Sequence, residues 1–487
     1  MRYLLPAILL LGTQIASAQS ILKDKDDKEL SVLLNEVVIT GTGTEHYLKD
    51  APVQTEVITS KALEQYQARS IDDLLSGLSP SLTFHDGDMG SHIQLNGLNN
   101  DYILIMINGK RMNGDVGGQN DLNQLNPANI ERIEIVKGAA SSLYGSDAIA
   151  GVFNIITKRN REKMEFTNTS RIGEYGDIRQ STSFGFNYRK IKSVTGINFR
   201  HTDGWRNTDL QWDQNQLKSG STMLTVNRSS NYTLSENIEW QVNRKLDLTA
   251  EGTYYERWVM RTHGPWKYQA NDFYYRNYTF AVGSKYKLGK RNYLAADLSY
   301  GRYGYFYDYK LNEHTDYFLD NDRHERITYF AGQRIKQSIQ KQILGQVKSV
   351  FYLGEDHILN AGIEYQYNHL ESPHHIDGDR ASVYTLAAYI QEEWTARENL
   401  VLTAGVRGTQ HKETGLNFSP KISGLYKPGE HINLRASYAL GYKAPTIKEL
   451  YYNYTGVIGG GALTAYHGNT DLKAQTSQYA SIGIEYV

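Results

Sequence analysis

Beyond Lys158, apolar and aromatic residues recur at every second position, and this period of two is what most narrows the folds open to the chain. Phe184, Phe186 and Tyr188 share one parity, as do Leu246, Leu248, Ala250 and Tyr254. So do Tyr278, Phe280, Val282 and Tyr286, then Leu294, Ala296, Leu298 and Tyr300, and, after Pro428-Gly429-Glu430, the set Ile432, Leu434, Ala436, Tyr438 and Leu440. Tyr303, Tyr305, Tyr307 and Tyr309 repeat the same spacing. Successive side chains of a strand point to opposite faces, so each run has one apolar and one polar face. Tight turns such as 289–292 alternate with long polar segments at 202–221, 256–272, 312–326 and 368–380. Short turns at one end, long loops at the other and polar residues at the alternate positions read as a transmembrane antiparallel barrel with a wet interior. A soluble β-sandwich is the alternative, and its inward faces here are too polar for a dry core.

No segment approaches the ~18 to 20 consecutive apolar residues of a membrane helix, so any crossing is made by strands. Residues 1–18 carry Arg2, an apolar core over 4–11 and Ala16-Ser17-Ala18 before Gln19, the layout of a secretory signal peptide. The absence of Cys excludes disulfides, thiolate metal sites and thiol catalysis together. Lys+Arg 52 against Asp+Glu 53 offers no polyanion-binding surface, hence no nucleic-acid partner. Neither HExxH nor GxSxG occurs, and the reading is of a protein that is not an enzyme, with no catalytic set, no metal site and no intrinsic cofactor.

Ahead of the alternating region lies a different architecture. Residues 19–30 are a charge run that reads as disordered. Residues 34–43 are rich in strand formers; they suit either the first strand of the next domain or addition to another protein's sheet edge. From 51 to 132 the signals alternate: a strand at 55–58, a helix at 60–67, a second helix capped by Ser70 with Asp73 in the capping-box position, strands at Ile93 and Leu95, a strand at 103–107 turning at Asn108-Gly109, and another through Ile130, Ile133 and Ile135. This is a small α/β domain. Residues 136–158, with Gly138, Ala139, Ala140, Gly145 and Gly151, read as a turn-rich junction whose small residues permit close backbone approach.

Six pieces in order make the resemblance specific. Glu36-Val37-Val38-Ile39-Thr40 resembles the TonB box of TonB-dependent outer-membrane receptors, and Leu95-Asn96-Gly97-Leu98 with 103–111 resembles the centre of their plug domain. Lys137-Gly138 through Leu143-Tyr144-Gly145 to Asn154-Ile155-Ile156-Thr157 resembles the end of the plug. Residues 389–394, 418–421 and 433–438 are similar to barrel strands of the family. The resemblance implies a signal peptide at 1–18, a periplasmic segment with the TonB box at 19–43, a plug at 44–158 and a β-barrel from 159 to 487. It also implies a monomeric Gram-negative outer-membrane receptor for energised nutrient uptake. In it Glu36, Val37, Val38, Ile39, Thr40 and Gly41 would add as a strand to periplasmic TonB, which draws on inner-membrane energising proteins.

For the ligand, Tyr442-Lys443-Ala444-Pro445 and Asn469-Thr470-Asp471-Leu472 resemble the FRAP and NPDL boxes of haem and haemoglobin receptors, with Tyr442, Lys443 and Thr470 as departures. That resemblance implies uptake of haem, with His467 and Tyr466 between the boxes and His85 and His92 on the plug as candidate ligand-binding residues; imidazole and phenolate are both suitable axial ligands of haem iron. Cobalamin or a ferric siderophore is the alternative ligand. A passive porin or surface adhesin is the reading from a different class. His369, His374 and His375 form a further cluster that could hold a metal or nothing.

At ~23 residues per strand and connection, the residues after 159 suffice for about 14 strands, whereas plugged transporters have 22. Fourteen strands enclose roughly 28 Å, too little for a plug of roughly 35 Å. With the sequence ending in the alternating stretch 482–487, the expectation is a C-terminally truncated receptor with an open sheet edge.

Overall fold

The computed structural model describes residues 36–66, 71–79, 81–87, 89–116, 119–160, 162–205, 226–261, 271–320, 323–458 and 462–486. The signal peptide, the charge run and the Ser70 cap lie outside the described residues.

The small domain is built on a five-stranded sheet in the order Thr55–Thr59, Ile130–Lys137, Gly151–Thr157, Ile103–Ile107, Lys110–Arg111. Ile130–Lys137 runs antiparallel to both neighbours, and Gly151–Thr157 pairs parallel with Ile103–Ile107. Helices Ser60–Tyr66 and Ile71–Leu78 cover one face, where Leu63, Leu74 and Leu75 pack with Ile133, Ile135, Phe153 and Ile155. The other face buries Leu104, Met106, Val136 and Val152 against Val53, Ala140 and Ala148. A strand covered on both faces reads as a continuous apolar run, which explains both 103–107 and 152–156. Asn108 and Gly109 take φ of 51° and 79°, the doubly positive pair of a two-residue hairpin turn.

The stretch 136–158, read as a turn-rich junction, belongs wholly to the small domain. It holds the end of one plug strand, the short helix Ser141–Tyr144 and the buried strand Gly151–Thr157, all within the small domain. Its glycines do serve close approach: a Cβ on Gly138 would stand 2.2 Å from the Tyr479 ring, and one on Gly145 would stand 2.9 Å from the Arg407 guanidinium.

Fourteen strands form one antiparallel sheet, from Met164–Ile172 to Gln475–Tyr486, each bonded to its neighbour in sequence order except where a long hairpin intervenes. The two outermost strands are not bonded to one another, so the sheet is open among the described residues. The count equals the number that length implied. Alternation sorts the faces as the pattern required. Phe280, Leu298, Ile363, Leu386 and Ile422 project outward and are exposed, whereas Asn277, Asn360, Gln391, Thr403 and Ser423 are buried on the inward face. Apolar outside and polar inside is the inverse of a sandwich, which settles that alternative, and no described helix is long and apolar enough to cross a membrane.

The segment 312–326, which reads as a polar loop, and the stretch between the two haem-type boxes are both built into strands at the long-loop end. Hairpins Glu313–Asp320/Arg323–Tyr329 and Asn453–Ile458/Ala462–His467 join through Phe318 and Thr455 into a four-stranded sheet.

Candidate functional site

The inner site forms around a charge that a doubly covered sheet should not tolerate. Glu134 interrupts the apolar strand Ile130–Lys137 and has 0% exposure, so its carboxylate must be partnered. Arg132 Nε donates to Oε1 at 2.8 Å. The other oxygen accepts three bonds from the box: Ile39 N at 2.9 Å, Thr40 N at 2.8 Å and Thr40 Oγ1 at 2.6 Å. Such charge-assisted bonds are about twice as strong as neutral ones. Asn154 Nδ2 donates to Thr40 Oγ1 at 3.1 Å, and the Tyr144 hydroxyl donates to Thr40 O at 2.8 Å. Burial and the neighbouring Glu134 charge push the Tyr144 phenol well above its ordinary range, so it stays a donor.

The barrel wall holds the next carbonyls. Lys421 Nζ donates to Gly41 O at 3.3 Å, Gln391 Nε2 to Thr42 O at 2.8 Å, Asn360 Nδ2 to the same oxygen at 3.3 Å, and Lys348 to Gly43 O. Upstream, Val37–Val38 pairs with His46–Tyr47, and Leu48 N donates to Glu36 O at 2.8 Å. The segment is thus not a strand of the domain's main sheet. It is a folded-back peptide clamped between a plug carboxylate and wall cations and amides. Sequence reasoning singled out residues 36–41 and missed Glu134, Tyr144, Lys421 and Gln391, which hold residues 39–42; the signal available was a carboxylate inside an otherwise apolar strand.

Helix Ser141–Tyr144 links this clamp to the neighbouring strands of the same stretch of wall. Ser141 Oγ accepts from Tyr442 N at 3.1 Å, Ser146 Oγ accepts from Ala444 N at 3.0 Å, and Arg407 Nη1 donates to Leu143 O at 3.0 Å. Tyr442, Lys443 and Ala444, the first haem-type box, are buried in this seam. Thr446 and Glu449 then form a reciprocal capping box on helix Ile447–Tyr451, whose Lys448 Nζ meets Asp115 Oδ1 of the small domain at 2.8 Å.

At the outer end, the Asp121 carboxylate is buried among wall residues, accepting from Tyr303 OH at 2.8 Å and Tyr255 OH at 3.0 Å, with Arg257 Nη1 at 3.4 Å. The candidate ligand residues fall into two groups. His467 Nδ1 lies 3.0 Å from Asn453 Oδ1, and Tyr466 stacks on Tyr454 at 4.8 Å. His467 is exposed on a groove of about 600 Å³ that it shares with Arg380, Ser382, Lys412 and Tyr451. His85 and His92 oppose one another across the plug hairpin Leu82–Gly87/Gly90–Leu95, with His92 exposed. No described contact joins His467 to that hairpin. Among the described residues no set of three His, Asp or Glu side chains is arranged to hold a metal. His369 bonds Ser382 and His374 faces Glu325. His375 Nδ1 lies 2.9 Å from Pro373 O, its ring edge-on to Tyr454 at 4.3 Å, and burial with His374 alongside lowers its pKa to about 4.

Comparison with known proteins agrees with this layout. Residues 48–152 match the profile of the TonB-dependent receptor plug domain, and 161–487 match that of the TonB-dependent receptor-like β-barrel. An iron-regulated outer membrane virulence protein of Vibrio cholerae is 25% identical over 482 residues, covering 92% of this chain and 66% of that protein. The ferric enterobactin receptor PirA of Pseudomonas aeruginosa is 23% identical, covering 98% of this chain and 71% of its own length. A vitamin B12 transporter of V. cholerae is 34% identical over 139 residues, 28% of this chain and 23% of its own. The crystal structure of the ferric enterobactin receptor PfeA of P. aeruginosa superposes with a TM-score of 0.69 at 19% identity, over 89% of this chain and 69% of that one. The chain therefore spans just under two thirds of the V. cholerae virulence protein.

Proposed function

Because this chain belongs to the TonB-dependent receptor family of outer-membrane β-barrel proteins, we propose that it takes part in TonB-driven uptake of an iron chelate, with a ferric siderophore as ligand. The observation that carries the transport reading is the clamp on Glu36, Val37, Val38, Ile39, Thr40 and Gly41. A partner that adds a strand needs free backbone N–H and C=O groups. Here Glu134, Gln391 and Lys421 occupy those groups at residues 39–42. The box is stored rather than presented, and helix Ser141–Tyr144, touching Thr40 on one side and Tyr442 on the other, is placed to tie its release to the outer end. A passive pore or an adhesin has no use for such a stored peptide.

The siderophore is favoured by relatives named for iron regulation and for ferric enterobactin, and by the burial of the first haem-type box in the plug seam. Haem is the second reading, carried by exposed His467 beside Tyr466 on the outer sheet. Ligand binding by the purified chain separates them. Quenching of intrinsic fluorescence by ferric enterobactin, with no Soret shift when hemin is added, is the expected result. A Soret shift that disappears in His467→Ala would reassign the ligand to haem. Iron uptake that persists in cells lacking TonB would remove the transport reading altogether.

A further inference from the structure

The short-turn end of the wall carries a feature that neither the clamp nor the outer sheet uses. Lys427 holds Asp50 there, and Asn433 Nδ2 donates to Lys49 O at 3.1 Å, so this end lies beside the docked N-terminal segment. Lys163 stands just before the first strand, and Arg189-Lys190, Arg244-Lys245 and Lys290-Arg291 occupy the next three short connections. Backbone bonds tie these tips into one rim: Asn187 N donates to Lys163 O at 2.9 Å, Gln241 N to Lys190 O at 2.7 Å and Lys287 N to Lys245 O at 2.7 Å. Neighbouring connections are two strands apart, so their cations recur every ~10 Å.

The balance of Lys+Arg 52 against Asp+Glu 53 over the whole chain hides this sorting. Within 162–163, 189–190, 242–245 and 288–292, Glu162 is the single carboxylate. The connections of the other half, 354–356, 398–399 and 430–431, carry Glu355, Asp356, Glu398 and Glu430 with no Lys or Arg. Two carboxylates just behind the basic rim are already engaged, Glu239 by Arg159 at 3.1 Å and Asp247 by Lys287 at 2.8 Å. Lys163, Arg244, Lys245 and Lys290 are exposed and have no carboxylate partner among the described residues. Arg189 takes a φ of 57°, a left-handed turn position that Gly or Asn fills at less cost, so a cation stands there against backbone preference.

We propose that this rim rests on peptidoglycan, an extended periplasmic polymer whose stem peptides carry carboxylates. Three observations favour that occupant. The cations are strung along a line instead of gathered in a pocket, which suits a repeating polyanion. The tips hold no aromatic side chain, whereas interfaces with folded proteins centre on aromatic and apolar anchors. Tyr188, Trp240 and Tyr286, exposed on the outward face just before the three connections, mark the headgroup level, so the tips project past the lipid into water.

The test is sedimentation of the full chain, in neutral detergent, with protein-free peptidoglycan sacculi and with sacculi whose carboxylates have been amidated. Neither TonB nor a transported ligand is present, so the outcome is independent of the transport reading. About tenfold less protein should pellet with the amidated sacculi, as several surface cations imply. Raising salt from ~50 to ~500 mM should release the protein from native sacculi. The fourfold variant Lys163→Gln/Arg244→Gln/Lys245→Gln/Lys290→Gln should lose most of the binding at an unchanged melting temperature, whereas Glu355→Gln/Glu398→Gln in the other half should not weaken it. Equal pelleting of the unaltered chain with both kinds of sacculi, or undiminished binding by the fourfold variant, would overturn the assignment. So would competition by phosphatidylglycerol vesicles as strong as that by soluble peptidoglycan fragments, since the rim would then belong to lipid headgroups.

Discussion

Glu134 concentrates the inner site in one carboxylate oxygen that accepts from Ile39 N, Thr40 N and Thr40 Oγ1. Replacing it by Gln keeps the shape but removes the charge and turns half the group into a donor. Glu134→Gln should weaken docking of the box by about 1–3 kcal/mol, the usual cost of spoiling a buried charged hydrogen bond. Because the chain has no Cys, a single Val37→Cys label reports this directly, as a sharpened spin-label spectrum in Glu134→Gln. Tyr144→Phe should give a smaller change in the same direction, near 1 kcal/mol. A second residue sets a pH response at the other end. Burial lowers His375 from 6.5 to about 4, so its neutral form supports the folded loop. That support is complete above the unfolded value and is lost as pH falls from 6.5 toward 4, by at most about 3 kcal/mol, with no further loss below. The protection factor of 453–458, whose Tyr454 packs on His375, taken against the intrinsic exchange rate at each pH, should therefore fall between pH 7 and pH 5 while that of the plug sheet holds. His375→Phe should abolish the difference.

At the scale of elements, the wall was readable because its constraint is local: a strand with lipid on one side and buried amides on the other must alternate, and Leu294 to Tyr300 does. The plug strands were readable for the opposite reason, since 103–107 and 152–156 are covered on both faces and need not alternate. What escaped was set by distant partners. Nothing near Val37 and Val38 announces that they fold back onto His46 and Tyr47, and nothing in 312–326 or 453–467 announces that Phe318 and Thr455 join two hairpins into one sheet. The placement of 442–445 was out of reach for a related reason: its residues are held by contacts with Ser141 and Ser146, some 300 positions away. Close approach of plug and wall is testable at Gly138, whose φ of 87° and neighbour Tyr479 both exclude a side chain. Gly138→Ala should cost about 1–3 kcal/mol through left-handed strain and displacement of the ring, seen as a lower melting temperature. Adding Tyr479→Ala should recover only the part due to the clash.

For the whole molecule, the proposed role of residues 36–41 would make partner binding a linked equilibrium with their release. If release costs about 3 kcal/mol, a partner meets the competent form in less than 1% of molecules, and its apparent affinity falls by the same factor. A ligand that binds the released form better restores that affinity, and linkage then requires TonB to tighten ligand binding equally. Titrating a soluble C-terminal TonB fragment with and without ferric enterobactin should give equal ratios in both directions. Glu134→Gln should remove most of the ligand's effect by raising partner affinity in its absence.

The face-sorting of the wall also bears on how the chain reaches its membrane. Lipid-facing residues such as Phe280, Val282, Leu298 and Tyr300 are each separated by a residue destined for the wet interior, so the unfolded polypeptide averages a mean hydropathy of -0.54. Machinery that captures helices responds to ~20 contiguous apolar residues, and residues 19–487 offer none. The extended chain therefore offers such machinery no target, and it acquires its affinity for hydrocarbon only when pairing of neighbouring strands gathers alternate side chains onto one surface.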